Sequence, residues 1–284
     1  MKLIEPHYQL IRMDEREWRF QYSAGMQDAT ERFDGILDSG GGRKGLTPAL
    51  RAFLNDHPSH IDALHHYAMC KMEEGKPLDA FAFAQAAVAV GRSVISEEFR
   101  QENGTLPGAW IENRPFLRAL HGLMIAQRSL YETAAAIQTT RELCAFDPED
   151  RMGARMLLPL YLLEEDRNRE ALEVFSMHGF GGTFHTTEYL RALALIRCQR
   201  VPEAGFILSA CIRHWPQVAR FLADPSLRPP QNDSPFGITM GSEYEGWAAA
   251  AEQRNVWRRT KGAGEILEQA FKNREQKPPK QSHE

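Results

Sequence analysis

The sequence predicts an all-α fold, a solenoid of αα-hairpins with capping helices at its N- and C-terminal ends. Three observations carry this. Apolar residues recur at helical spacing along most of the chain: Leu64, Tyr67, Ala68 and Met72; then Leu117, Leu120, Leu123 and Met124; then Leu157, Leu160, Tyr161 and Leu163. No stretch alternates convincingly as a half-buried strand does, and Ile238–Met240 is the one weak strand candidate. One helix–turn–helix grammar recurs four times, and self-similarity of that kind marks a repeat architecture.

Residues 1–46 read as N-terminal capping helices followed by a glycine-rich hinge. The hinge contains Asp38 to Pro48, DSGGGRKGLTP, which looks at first like a phosphate cradle. A phosphate loop requires GxxxxGK and then Ser or Thr, set between a buried strand and a helix. Here Gly45 follows Lys44, and residues 29–37 read as helix. The stretch is therefore expected to be a connector, with Thr47 as a helix N-cap and Pro48 at the first helical position. A modest anion contact through Arg43 and Lys44 is all that remains of the cradle.

Residues 47–222 hold the hairpins. The first has Gly75 at its turn and Ala80 at a small position. A long loop, Glu102 to Asn113, precedes the second, which has Gly122 at a helix crossing, Ala134 at the small position and a closing Pro148. The third carries Pro159 at the crossing, with Ala171 and Phe175 behind. The fourth carries Ala192, Ala204 and a closing Pro216. Residues 223–273 contain a proline-rich irregular stretch, and then Ser242 and Glu245 at capping-box spacing open a helix that carries Trp247. A last helix is expected near residues 262–271, and the tail 274–284 is expected to be disordered.

Composition narrows the function. The formal charge is -4, which argues against a surface that tracks nucleic-acid phosphates, although Arg254 to Lys261 forms a local basic patch. No apolar run of about 18 residues is present, so no membrane span is expected. The N-terminus interrupts its apolar residues with charges, unlike a signal peptide. Cys70, Cys144, Cys198 and Cys211 contain no CxxC pair and read as small buried hydrophobes of a reducing, cytoplasmic compartment. There is no GxSxG and no recognisable partner pattern for a cysteine nucleophile, so no catalytic residue and no cofactor are expected.

His57, His60, His65 and His66 invite a metal reading. His65 and His66 point about 100° apart on a helix, and zinc wants a closed tetrahedral set. Capping and surface roles are expected instead, so no metal is assigned. Trp110 lies in the long loop beside Pro107 and Gly108, either as a plug on the solenoid or as part of a partner site. Phe180 to Phe184, FGGTF, reads as a helix-ending loop.

The hairpins, with small residues at the crossings and closing prolines, resemble the tetratricopeptide repeat (TPR) superfamily. The hallmark tryptophan of the first helix is absent in every copy. A narrower resemblance rests on NRPFLRALHGL, FDPEDRMGARMLLPLYLLEEDR, CIRHWPQVARFL and ITMGSEYEGWAAAA with VWRRTKGAGEIL. These segments are similar, in order, to the TPR-like family named after the suppression-of-tumorigenicity protein and its bacterial relatives.

The superfamily resemblance implies a TPR-like right-handed superhelix whose first helices line a concave groove. It places Asp62, His65, Met69 and Met72 there. Phe116, Ala119, Leu123 and Gln127 follow, then Met156, Leu160 and Leu163, then Tyr189, Leu193 and Arg197. Such a lining suits an extended or helical peptide. The expectation is a non-enzymatic, cytoplasmic scaffold or adaptor that binds a protein or peptide, with no nucleic acid and no membrane, and with a homodimer left open. Two other readings stand beside it: a small-molecule or nucleotide sensor with a pocket near Trp110 and Arg114 or Arg118, and a hydrolase or transferase with an unrecognised site.

Overall fold

The computed structural model describes residues 7–39, 42–178, 185–232 and 237–275. Gly40 and Gly41 of the glycine run, the FGGTF segment and the tail beyond Glu275 lie outside the described residues. The chain forms two compact units, Met1–Arg155 and Met156–Glu284.

The first unit opens with an antiparallel hairpin, β1 (Tyr8–Arg12) and β2 (Trp18–Tyr22), in which Leu10 faces Phe20. Seven helices follow: α1 (Ala24–Asp38), α2 (Gly42–Asp56), α3 (Ile61–Glu73), α4 (Pro77–Arg92), the short α5 (Glu97–Gln101), α6 (Arg114–Ser129) and α7 (Thr133–Phe146). The second unit contains α8 (Leu158–Glu164), α9 (Asn168–His178), α10 (His185–Arg197), α11 (Val201–His214), α12 (Pro216–Ala223), α13 (Glu243–Arg258) and α14 (Ala263–Glu275). Ser242 caps α13 as its sequence indicates, accepting from Glu245 N at 3.1 Å. Ile238–Met240 is not a strand.

Four hairpins share one turn. The first helices α3, α6, α8 and α10 each end at a residue with positive φ: Gly75 (71°), Tyr131 (63°), Asp166 (56°) and Gln199 (62°). The next N–H then reaches back to a carbonyl of the last helical turn. Lys76 N meets Lys71 O at 2.9 Å, Glu132 N meets Gln127 O at 2.9 Å, Arg167 N meets Leu162 O at 2.8 Å, and Arg200 N meets Leu195 O at 2.8 Å. This is the Schellman closure, which satisfies carbonyls that a helix end leaves orphaned. Only the first turn uses glycine, so the other three carry no obvious marker in the sequence.

That turn sets the repeat register. Counted from it, Ala80, Ala136, Ala171 and Ala204 are level, and all four are fully buried. Small residues there let the second helix lie close on the first. Ala134, expected at this position, is exposed instead. The second hairpin is therefore shifted by two residues from its expected register. The cause is Gly122, which is not level with Pro159 and Ala192; Met124 is.

Two further expectations are corrected. Residues 8–22 are strands rather than helix. The segment Trp18-Arg19-Phe20-Gln21-Tyr22 alternates aromatic with polar residues, and Trp18 and Phe20 are buried at 5% and 1% exposure. Helix α2 starts at Gly42, so Thr47 is not its N-cap and Pro48 lies inside it. The Thr47 hydroxyl instead donates to Glu74 Oε1 at 3.2 Å. In the third hairpin, α8 is short because Pro159 holds its first turn, and Met156 precedes it in the 3-10 turn Ala154–Met156.

Candidate functional site: the α3–α6 face

The long loop before α6 anchors the N-terminal hairpin. Asn113 is fully buried. Its Nδ2 donates to Trp18 O at 3.0 Å and Pro107 O at 3.1 Å, and its Oδ1 accepts from Phe20 N at 3.0 Å. Trp18 N also donates to Thr105 O at 2.9 Å. The hairpin thus covers the start of α6, where Phe20 packs on Phe116 with ring centroids 5.4 Å apart.

Helix α3 is capped by His60, whose Nδ1 accepts from Ala63 N at 3.1 Å and whose Nε2 lies 3.2 Å from Thr30 Oγ1. Burial lowers the His60 pKa to about 4. His60 is a structural cap, not a ligand. His57 stacks on Phe53 at 4.7 Å. Among the described residues, no group of three or more His, Cys, Asp or Glu is placed to hold a metal ion.

Helices α3 and α6 meet along a seam. Arg118 grips Asp62 with a forked contact, Nε to Oδ1 at 3.0 Å. One turn on, His65 Nδ1 faces Gly122. A β-carbon on Gly122 would stand 2.8 Å from that nitrogen and 3.3 Å from Met69 Cε, so glycine alone permits the approach. At the far end Ser129 Oγ lies 3.8 Å from Met72 Sδ. In the register set by the turns, Asp62 is level with Arg118, His65 with His121, Met69 with Ile125, and Met72 with Arg128. Met69, Met72, Arg118, His121, Ile125 and Arg128 are half-buried. Desolvation lowers the His65 pKa to about 3 and also lowers those of His66 and His121, so the imidazoles are neutral at pH 7.

The groove residues expected on α6 lie elsewhere. Phe116 is fully buried against Phe20, Phe146 and Gly91. Ala119 and Leu123 are core, at 0% and 3% exposure. Gln127 Oε1 accepts from Thr139 Oγ1 of α7 at 2.8 Å. Phe116, Ala119 and Leu123 follow the two-residue shift in register, and Gln127 falls one residue before Arg128.

In the second unit the expected groove positions are interior. Leu160, Leu163, Tyr189 and Leu193 are at most 2% exposed, and Met156 is half-buried. The Tyr189 hydroxyl donates to Trp215 O at 3.1 Å. Arg197 is the staple: it donates to Thr260 Oγ1 at 2.7 Å, Val256 O at 3.0 Å, Leu163 O at 2.6 Å and Asp166 Oδ1 at 3.1 Å. Helix α13 is thereby held on α8 and α10.

The arginines proposed beside Trp110 are turned to other partners. Arg114 Nε donates to Gly108 O at 2.9 Å, and Arg118 holds Asp62. Trp110 itself is half-buried, with the Arg19 guanidinium 5.4 Å above its ring. Burial pushes the thiols of Cys144 and Cys211 up to about 11 and 12, far from a nucleophilic thiolate. No helix among the described residues is long and apolar enough to cross a membrane.

Known proteins place this architecture. MamA is 17% identical with a TM-score of 0.51, over 72% of this chain and 100% of its own. A tetratricopeptide repeat protein from Parabacteroides merdae is 14% identical with a TM-score of 0.52, over 88% of this chain and 80% of its own. At such identities the likeness shows the fold, which is TPR-like. Among curated proteins, none matches. The family model that matches is described as transcriptional repressor TCF25, not as the suppression-of-tumorigenicity family. It spans residues 18–241, from β2 through the last hairpin to the residue before the cap of α13, and the chain accordingly belongs to the Tcf25 family.

Proposed function

We propose that this chain is a non-enzymatic protein-interaction module that binds a peptide segment along the α3–α6 face. Asp62, His65, Met69 and Met72 form one side, and Arg118, His121, Ile125 and Arg128 the other. One observation carries the reading: this seam leaves flexible thioethers and Ile125 half-exposed beside a fixed Asp62–Arg118 fork, whereas Leu160, Leu163, Tyr189 and Leu193 on α8 and α10, on which α13 packs, are buried. Methionine side chains adapt to varied apolar partners, and a charged fork at one end sets direction.

The name of the matching family favours a place in transcriptional repression. With a net charge of -4, such a module would act there by holding proteins rather than by tracking DNA phosphates. Its thiols, none of them disulfide-bonded among the described residues, fit a reducing compartment, cytoplasmic or nuclear. The small-molecule reading has less support, because Arg114 and Arg118 are already engaged.

Site-specific photo-crosslinking tests the proposal. A probe replacing Met72 should trap a partner polypeptide that a probe at exposed Leu78 does not, and Ile125→Glu should abolish the product while the melting curve is retained. Equal trapping from both positions, or trapping that survives Ile125→Glu, overturns it.

A further inference from the structure

The outward faces of the second helices differ at one level position. Ala82, Gln138, Glu173 and Phe206 occupy it on α4, α7, α9 and α11, and all are exposed. Three suit water. Phe206 does not, yet it is 80% exposed, and Met177 on α9 is 71% exposed. Large apolar side chains held in solvent next to an apolar depression mark a contact surface.

The depression is present. Between α9 and α11, over α10, a cleft of about 530 Å³ has Leu172, Leu195, Ile207 and Ala210 in its lining, with Phe206 beside them. A second cleft of about 490 Å³ continues past Met177 and shares Leu172, Ser176 and Arg200 with the first. The charged rim of the first cleft is internally paired: Arg191 lies 3.7 Å from Glu188, and Arg200 Nε donates to Glu203 Oε1 at 2.6 Å.

We infer that this face docks a second copy of the chain about a two-fold axis, with Phe206 of each copy entering the cleft of the other. An isologous contact sets one surface against itself, so that surface must supply both knob and hole. Here they are adjacent on the same helices. Its charges must also tolerate their own copies, and a rim of internally neutralised pairs does so. A foreign helix with a charged polar face would instead favour a rim of one sign.

Sedimentation velocity and light scattering on the intact chain test this. The expected mass at micromolar concentration is twice 32.3 kDa. Phe206→Gln, which supplies the residue type of the level position on α7, should weaken pairing at least tenfold. Met177→Gln should weaken it as well, and Leu78→Gln in the first unit should leave it unchanged. All three positions are solvent-exposed, and retained helical circular dichroism confirms folding. A parent chain that stays monomeric up to about 100 µM overturns the inference. So does a Phe206→Gln variant that pairs as tightly as the parent. So too does a monomeric parent whose Met177 is protected from oxidation only by a foreign helical peptide.

Discussion

A methyl group at position 122 would collide with the His65 ring, 2.8 Å from Nδ1. Overpacking at such a crossing costs about 1–3 kcal/mol. Gly122→Ala is therefore expected to lower the urea midpoint, and pairing it with His65→Ala should recover most of the loss. His60 and His65 make a second prediction. Their folded pKa values are about 4 and about 3, and an unperturbed histidine titrates near 6.5. Between about pH 6.5 and 3 the unfolded chain binds protons that the folded chain refuses, so stability falls as pH drops through that window and levels off below it. Urea titrations at pH 7 and pH 4.5 should show this. His60→Asn, which keeps an N-cap acceptor but does not titrate, should shrink the difference, and His65 should supply what remains.

The shared turn ties the hairpins to one register, and the second helix of each presents a buried alanine. Ala136→Leu should cost about 1–3 kcal/mol, as should Ala171→Leu and Ala204→Leu. Ala134→Leu should lie within about 0.5 kcal/mol of the parent, because that side chain is exposed. Comparable losses at 134 and 136 would refute the corrected register. The N-terminal hairpin depends on a single side chain, Asn113, for two of its hydrogen bonds to the rest of its unit, and the same side chain holds Pro107 of the adjoining loop. Each buried polar group left without a partner costs about 1–3 kcal/mol. Asn113→Ala is expected to speed amide exchange across β2 and the 102–113 loop, leaving α7 slower. Uniform exchange across the first unit would mean the hairpin is not separately anchored there.

Each compact unit closes its own core. In the first, the hairpin and α1 cover the starts of α3 and α6 and leave the rest of that seam half-open. In the second, α13 lies on α8 and α10 and leaves no comparable seam among the described residues. Arg197→Met should free α13: its amides should exchange at least tenfold faster, while those of α3 and α6 keep their rates. A hydrogen bond donated by a charged group contributes about 1.5–3 kcal/mol. An α13 as protected as in the parent would show that apolar packing alone holds it.

The sequence by itself determined the four αα-hairpins and the α13 cap, because period-3.6 apolar faces and a Ser–Glu capping box are local signals. The strands of residues 8–22 were also legible in the alternation of Trp18, Phe20 and Tyr22, at a length short enough to miss. What only tertiary structure decided was which apolar positions face water. Met72 and Leu163 are level in the register and both apolar, yet Met72 is half-buried and Leu163 fully buried. The difference comes from α13, pinned by Arg197, a residue that by its sequence alone belongs on a surface. Register went the same way. A positive-φ closure can be built on Tyr131, Asp166 or Gln199 when the surrounding helices hold it there, and no local rule distinguishes those residues from their neighbours.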